Sequence, residues 1–244
     1  MAHEYYAIDL PGKILYSKQF NVSIRRLTPI EQRYILSLSQ KEQKTNKDYL
    51  NLIKQWIIFD NPEMTFEELY WFDVQYILYR IRFVTYEKYP LTIKFICQED
   101  NCHGEITQKL NMGELVINTP DDLTEYSSTI ELKNLGVTPI RQKTIQDDIE
   151  IDAFVQEKGL DANDLQTRLL LVDLCLVSNN RSLKEMYDLA DTGVLTVEDI
   201  VMIEQWFMKN VWGVKEEVLV KCPKCGKETS RGYFLSLEDF FSSI

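Results

Sequence analysis

LTIKFICQEDNCHGEITQKL (residues 91–110) and EEVLVKCPKCGKETSRGYF (residues 216–234) are the two stretches that decide how this chain is read. In each, a β-rich run enters a cysteine pair and a second strand-like run leaves it: Cys97 and Cys102 in the first, Cys222 and Cys225 in the second. The pattern predicts two hairpins whose turns each present two thiols, which is the form of a zinc knuckle. Two knuckles together supply a tetrahedral four-thiolate site with Zn–S bonds of about 2.3 Å. The pairs lie far apart in sequence, so a shared ion would close the two halves of the chain onto each other. Four thiolates leave no coordination position for water or substrate, and the strongest motif therefore points away from catalysis.

The Cys222-Pro-Lys-Cys225 spacing followed by Gly226 is a specific signal, whereas the spacing of Cys97 and Cys102 alone is weak. Disulfides, or a redox pair at Cys222 and Cys225, are the alternatives. The N-terminus, MAHEYYAIDLPGK, lacks the apolar run of a signal peptide, which predicts a compartment where metal is favoured over structural disulfides. A redox C-x-x-C opens a helix, and this one sits between strand-like runs.

A chain of 244 residues with 45% hydrophobic content can bury one substantial core or two modest ones. Its longest apolar run, LLLVDLCLV (169–177), is too short to span a bilayer and carries Asp173, so a soluble protein without a membrane partner is expected. The net charge of −11 comes with basic residues only in isolated spots, Arg25–Arg26 and Lys221, Lys224 and Lys227. A nucleic-acid binder usually shows a basic stripe, and none is visible here.

Read along its length, the chain shows the same order of parts twice. LPGKILYSKQFNVSIRRLTPIEQRYIL (10–36) reads as a strand, then Thr28 as N-cap with Pro29 at N1 and Glu31 at N3. TIELKNLGVTPIRQKTIQDDIEIDAF (129–154) repeats this with Thr144 and Asp147. Helical segments follow (47–59 and 164–177), then further capped starts at Thr65 and Thr196, then a strand and a cysteine knuckle. The matching features recur at similar but unequal separations, as loop insertions in a duplicated chain would produce. We expect an α+β protein of two similar halves, 1–120 and 121–244, joined by a shared zinc-ribbon-like four-cysteine site. The boundary falls in the Pro/Asp/Ser-rich connector 118–128.

A helix expected from Thr65 to about Phe83 carries Phe66, Tyr70, Trp71, Phe72, Tyr76, Tyr79 and Phe83 on more than one face. Such a helix is buried in the core or covered by a partner, and Tyr, Trp and Arg (here Arg80 and Arg82) are typical anchors of protein interfaces. Cys175, in an apolar helix, reads as a small buried hydrophobe. G-x-S-x-G, P-loop, H-E-x-x-H and G-x-G-x-x-G patterns are missing, and the histidines are two, His3 and His103. His103-Gly-Glu105 with Cys222-Pro-Lys-Cys225 echoes a zinc deaminase, but the proline lies inside the cysteine pair and Cys102 would be an unexplained extra thiolate. No catalytic residue is assigned.

The opening LPGKILYSKQFNVSIRRLTPIEQ (10–32), the segment ILYRIRFVTYEKYPLTIKF (77–95), the first cysteine pair and KCPKCGKETSRGYFLSL (221–237) together resemble the baseplate hub and hub-assembly proteins of contractile-tailed, T-even-type bacteriophages. The resemblance implies a non-enzymatic virion structural or assembly subunit near the tail tube tip, put together in the host cytoplasm. It carries the cysteine pattern to Cys97, Cys102, Cys222 and Cys225 as structural zinc ligands. It implies other tail and baseplate proteins as partners, for which Tyr70, Trp71 and Tyr79 are the candidate contacts. A zinc-ribbon adaptor in a nucleic-acid or transcription assembly is the alternative, and it would show clustered Lys/Arg with interleaved aromatics.

Overall fold

A computed structural model describes residues 4–38, 46–86, 89–111, 115–119, 126–162, 164–233, 235 and 240–241. Helices and several small antiparallel sheets alternate along the chain. Its residues group into two compact units. One comprises Met1–Pro62, Val74–Asn118 and Gly213–Ile244, and the other Glu63–Asp73 and Thr119–Trp212. These boundaries cross the expected halves 1–120 and 121–244, because the segment that carries the second knuckle returns to the unit holding the first.

In the first unit, β1 (Tyr5–Ile8), β2 (Val22–Arg25) and β3 (Ile57–Phe59) form a three-stranded antiparallel sheet. Helices α1 (Pro29–Leu38) and α2 (Asn46–Lys54) lie between β2 and β3 in the chain. Helix α3 (Trp71–Tyr86) belongs to this unit from Val74 onward and buries Ile77, Tyr79, Ile81 and Arg82. Phe240 and Phe241 close the core: Phe240 meets the Tyr79 ring edge-on at 4.6 Å, and Phe241 meets Trp56 at 5.8 Å. The buried Arg82 guanidinium donates to the Phe240 carbonyl oxygen, and Gln32 donates to that of Phe241 at 3.2 Å, so this segment near the C-terminus is tied to α1 and α3.

Two hairpins complete that unit's chemistry. β4 (Leu91–Ile96) pairs with β5 (Glu105–Leu110), and β10 (Glu217–Lys221) with β11 (Glu228–Gly232), as the sequence predicts. Polar and apolar residues alternate, so Ile106 and Val220 point inward with period two while their neighbours meet solvent. A short pair of β6 (Ile117–Asn118) and β9 (Gly213–Val214) brings the chain in and out of this region.

In the second unit, the hairpin of β7 (Thr129–Leu132) and β8 (Gly136–Pro139) leads into α4 (Ile145–Lys158), α5 (Leu165–Leu176), α6 (Leu183–Asp191) and α7 (Val197–Lys209). Ile151, Phe154, Leu171, Leu174, Cys175, Met186, Ile203 and Trp206 form its core, so Cys175 packs as the expected small hydrophobe. Capping boxes at Thr144, Ser182 and Thr196 start α4, α6 and α7.

Each unit contains the same clasp between a hairpin and its helix. In the first, Arg25 Nη1 and Nη2 donate to the two carboxylate oxygens of Glu31 at 3.0 and 2.6 Å, while the Thr28 amide and hydroxyl donate to Oε2 at 2.8 and 2.9 Å. In the second, Arg141 Nη1 and Nη2 donate to Asp147 at 2.7 Å each, and the Thr144 amide and hydroxyl donate to Oδ2 at 2.7 and 2.9 Å. Even the side bond from the arginine to the next carbonyl recurs, Arg25 to Arg26 and Arg141 to Gln142.

The expected helix from Thr65 is corrected. Thr65 does form a capping box with Glu68, but it starts only the 3-10 turn Phe66–Glu68. Leu69 is extended, Ile145 donates to its carbonyl at 3.0 Å, and Trp71 donates to the Lys143 carbonyl at 3.0 Å. Residues 69–71 thus pair with 143–145 as backbone, and α3 begins only at Trp71.

Candidate metal centre

The hairpin turns are built to aim thiols. In the first, the Cys97 amide donates to the Gly104 carbonyl at 2.9 Å and that of Cys102 to Glu99 at 3.0 Å. Asn101 and His103 take left-handed backbone angles (φ 63° and 46°), which tighten the turn. In the second, Cys222 donates to Lys227 at 2.9 Å, Gly226 donates to Cys222 at 2.8 Å, and Gly226 adopts φ 75°, where a side chain would be strained. Strand β10 packs on β5, and Phe95, Ile106, Val218 and Val220 form the apolar floor beneath the cysteines.

All four predicted Sγ atoms come together, within 4.8 Å of one another. Cys97 lies 3.7 Å from Cys225, and Cys102 lies 3.6 Å from Cys222. The edge of a tetrahedron with bonds of about 2.3 Å is about 3.8 Å, so these separations suit thiolates around one ion. They are far longer than a disulfide bond of about 2.0 Å, and all five cysteines are free. This arrangement can hold a metal ion. Three of its thiols are buried, with Cys225 exposed at the rim.

The surroundings prepare one thiol for ligation. A hydrogen bond from the Cys225 backbone, with a second from Lys224, pulls Cys222 down to about 6. The Gly104 backbone pulls Cys102 in the same direction, but burial and the three neighbouring thiols outweigh it and push that thiol up to about 12. Bringing the thiols together without a cation is therefore unfavourable for full ionisation, and a dication would remove that penalty.

Sequence reading missed two supports. Lys224 Nζ donates to the Cys102 carbonyl at 2.5 Å, joining the second knuckle to the first, as does the 2.5 Å ion pair of Lys227 with Glu99. Gly104 is the closer signal: a Cβ there would stand 2.9 Å from Lys224 Cβ and 3.0 Å from Cys222 Sγ. Its position just past His103 after the first pair was visible, but the approach that demands it was not. His103 and Glu105, the echo of a deaminase, are exposed and lie outside the thiol cluster.

The candidate partner residues separate. Tyr79 is 1% exposed and donates to Glu216 at 3.0 Å, so it belongs to the core and cannot contact a partner. Tyr70 is largely buried and stacks on Phe72 at 5.6 Å, and burial pushes its hydroxyl up to about 12. Trp71 is 41% exposed, with Lys143 Nζ 5.0 Å from its ring centre.

Residues 8–242 match the family model described as T4 bacteriophage base plate protein. The chain belongs to this family. Membership makes it a structural component of the phage tail, with other tail proteins as its partners. No curated protein and no solved structure matches the chain. Among the described residues, no helix is long and apolar enough to cross a membrane.

Proposed function

We propose that this chain is a non-enzymatic structural or assembly subunit of the hub region of the phage base plate. It acts by protein–protein binding and carries one structural zinc on Cys97, Cys102, Cys222 and Cys225. The observation that carries the reading is the four-thiol cluster, drawn from two distant segments of a chain matched to a base plate family over residues 8–242. Four thiolates fill the tetrahedron of a zinc ion, so zinc there contributes folding energy and activates no water.

The halves 1–120 and 121–244 are two copies of one plan of hairpin, helices and knuckle. Supporting this, the Arg–Thr–acid clasp recurs with the same spacing and hydrogen bonds at Arg25–Thr28–Glu31 and Arg141–Thr144–Asp147. A metal bound by one pair from each half would be a later fastening between the copies.

A phage lacking this gene, grown in its host, tests the function. Cells should fill with heads and tail components but yield no complete base plates by electron microscopy. Normal infectious tails from the deletion would overturn the reading.

A further inference from the structure

The four thiols of the candidate metal centre are not equivalent. Cys97, Cys102 and Cys222 are 3%, 6% and 1% exposed, while Cys225 meets solvent together with its turn neighbours Pro223, Lys224 and Gly226. An oxidant arriving from solvent therefore meets Cys225 first. Its Sγ lies 3.7 Å from that of Cys97, which sits on the other hairpin and 128 residues away in sequence. The buried pair Cys102 and Cys222 repeats this cross-hairpin approach at 3.6 Å. Cys175, the fifth cysteine, is packed into the core of the second unit, outside the cluster.

Local geometry favours a link between the hairpins over one within either. The Cys222 sulfur accepts hydrogen bonds from the backbone amides of Cys225 and Lys224, which hold it beside Cys102. Bridging Cys222 to Cys225 would break them. Gly104 keeps the gap between the hairpins open, since a Cβ there would stand 3.0 Å from Cys222 Sγ and 3.5 Å from Cys102 Sγ. Lys224 bonded to the Cys102 carbonyl and Lys227 paired with Glu99, each at 2.5 Å, hold the two turns together. A closure of less than about 2 Å then brings Cys97 and Cys225 to disulfide distance.

We infer that this site is a redox-convertible fastening, in which hydrogen peroxide joins Cys97 to Cys225 as a disulfide that releases the metal and keeps the two hairpins tied. The Cys225 thiolate attacks one peroxide oxygen and breaks the O–O bond. It becomes a sulfenic acid, and the departing hydroxide takes a proton from solvent to become water. The Cys97 thiolate then attacks that sulfur, forming the S–S bond and expelling a second hydroxide, which is likewise protonated. Two thiolates lose two electrons, one peroxide becomes two waters, and the zinc, left with two protein ligands, dissociates. The inference rests on the reading of the four thiols as a structural zinc site. It gives a tail component one tie that serves in reducing surroundings and a second that persists in oxidising ones.

The test uses the purified full chain, loaded with zinc under reductant and then treated with hydrogen peroxide. A chromogenic chelator follows zinc release, and mass spectrometry of alkylated, digested samples maps the disulfides. Zinc release and a Cys97–Cys225 link should appear in the same kinetic phase, and dithiothreitol with added zinc should reverse both. Cys225→Ser should slow release about tenfold or more, because the exposed nucleophile is gone. The oxidised, zinc-free chain should melt about 5 °C or more above a reduced chain stripped of zinc by chelator, since only the first keeps the hairpins joined. This last comparison needs no variant to fold. A first link within one hairpin, zinc release without a disulfide, or equal melting of the two zinc-free forms overturns the proposal. A chain that holds no zinc under reductant yet forms the Cys97–Cys225 link would leave the cross-hairpin disulfide standing and overturn the zinc reading instead.

Discussion

Cys102 Sγ and Cys222 Sγ lie 3.6 Å apart although 120 residues separate them in the chain. An approach that close between two thiols, with two more beside them, is stable only when a cation shares their charge or protons neutralise it. Purified chain should therefore contain about one zinc per molecule. Cys222→Ser should lower zinc content to near zero and destabilise the fold by several kcal/mol, as expected where a structural metal's binding is coupled to folding. Elemental analysis and thermal melts with and without a chelator check this. An unchanged melting temperature after zinc removal would show that no structural metal is held.

Gly104 and Gly226 make a paired test of the knuckles. Gly104 has no room for a Cβ between Lys224 and Cys222 Sγ, while the space around Gly226 is open and its backbone is left-handed. Gly104→Ala should displace a ligand and weaken zinc retention about 10- to 100-fold, the range seen when supports of a metal site are lost. Gly226→Ala should cost about 1 kcal/mol of backbone strain at nearly normal zinc affinity. Competition with a chromogenic chelator separates the two outcomes. Equal zinc affinities would mean that the close approach at Gly104 is not part of the site.

What was legible in the sequence was local. Each cysteine hairpin and each capping box is encoded within a few neighbouring residues, and Thr28, Thr144 and Thr196 start their helices as the pattern dictates. Thr65 shows the limit. Its capping box with Glu68 is as good as the others, yet backbone pairing of Leu69 and Trp71 with Lys143 and Ile145 breaks the helix. That pairing joins segments remote in sequence, so no local signal announces it. The same holds for Gly104, whose necessity depends on Lys224 and Cys222 from a distant segment of the chain. Tyr79 and Trp71 are both large aromatics of one helix, and only the packing of Phe240 reveals which one is core.

The first clasp predicts an acid limb in stability. Burial opposes ionisation of Glu31, but hydrogen bonds from Arg25 and Thr28 outweigh it and hold the carboxyl at about 2, below its free value of 4.5. A depressed carboxylate pKa stabilises the fold above the unfolded value, and that stability is lost as pH falls from about 4.5 through about 2. Allowing for solvent screening at a carboxylate near the surface, the contribution is about 1–2 kcal/mol. Glu31→Gln should cost that amount near neutral pH and almost nothing at about pH 2. Urea unfolding at both pH values measures the difference, and an equal cost at both would remove the charge from the explanation.

Tyr79 and Trp71 should respond to truncation in opposite ways. Tyr79 is buried, packs edge-on against Phe240 at 4.6 Å and donates to Glu216 at 3.0 Å. Tyr79→Ala leaves a cavity in the core and removes one of the hydrogen bonds to the half-buried Glu216, so it should cost about 3–5 kcal/mol and lower the yield of folded chain. Trp71 keeps 41% of its surface in solvent, and its ring faces the Lys143 ammonium at 5.0 Å. Trp71→Ala gives up that cation–π contact, about 0.5–1 kcal/mol, without opening the core. If Trp71 is an anchor for a tail partner, as proposed for this subunit, the variant should keep its fold and zinc while base plate yield falls sharply, since truncating an interface anchor costs about 2 kcal/mol or more. Melting, zinc content and tail counts in complemented phage infections read all three quantities together. Normal tail yield with Trp71→Ala would take Trp71 out of the partner surface and leave its exposure to be explained by the Lys143 contact alone.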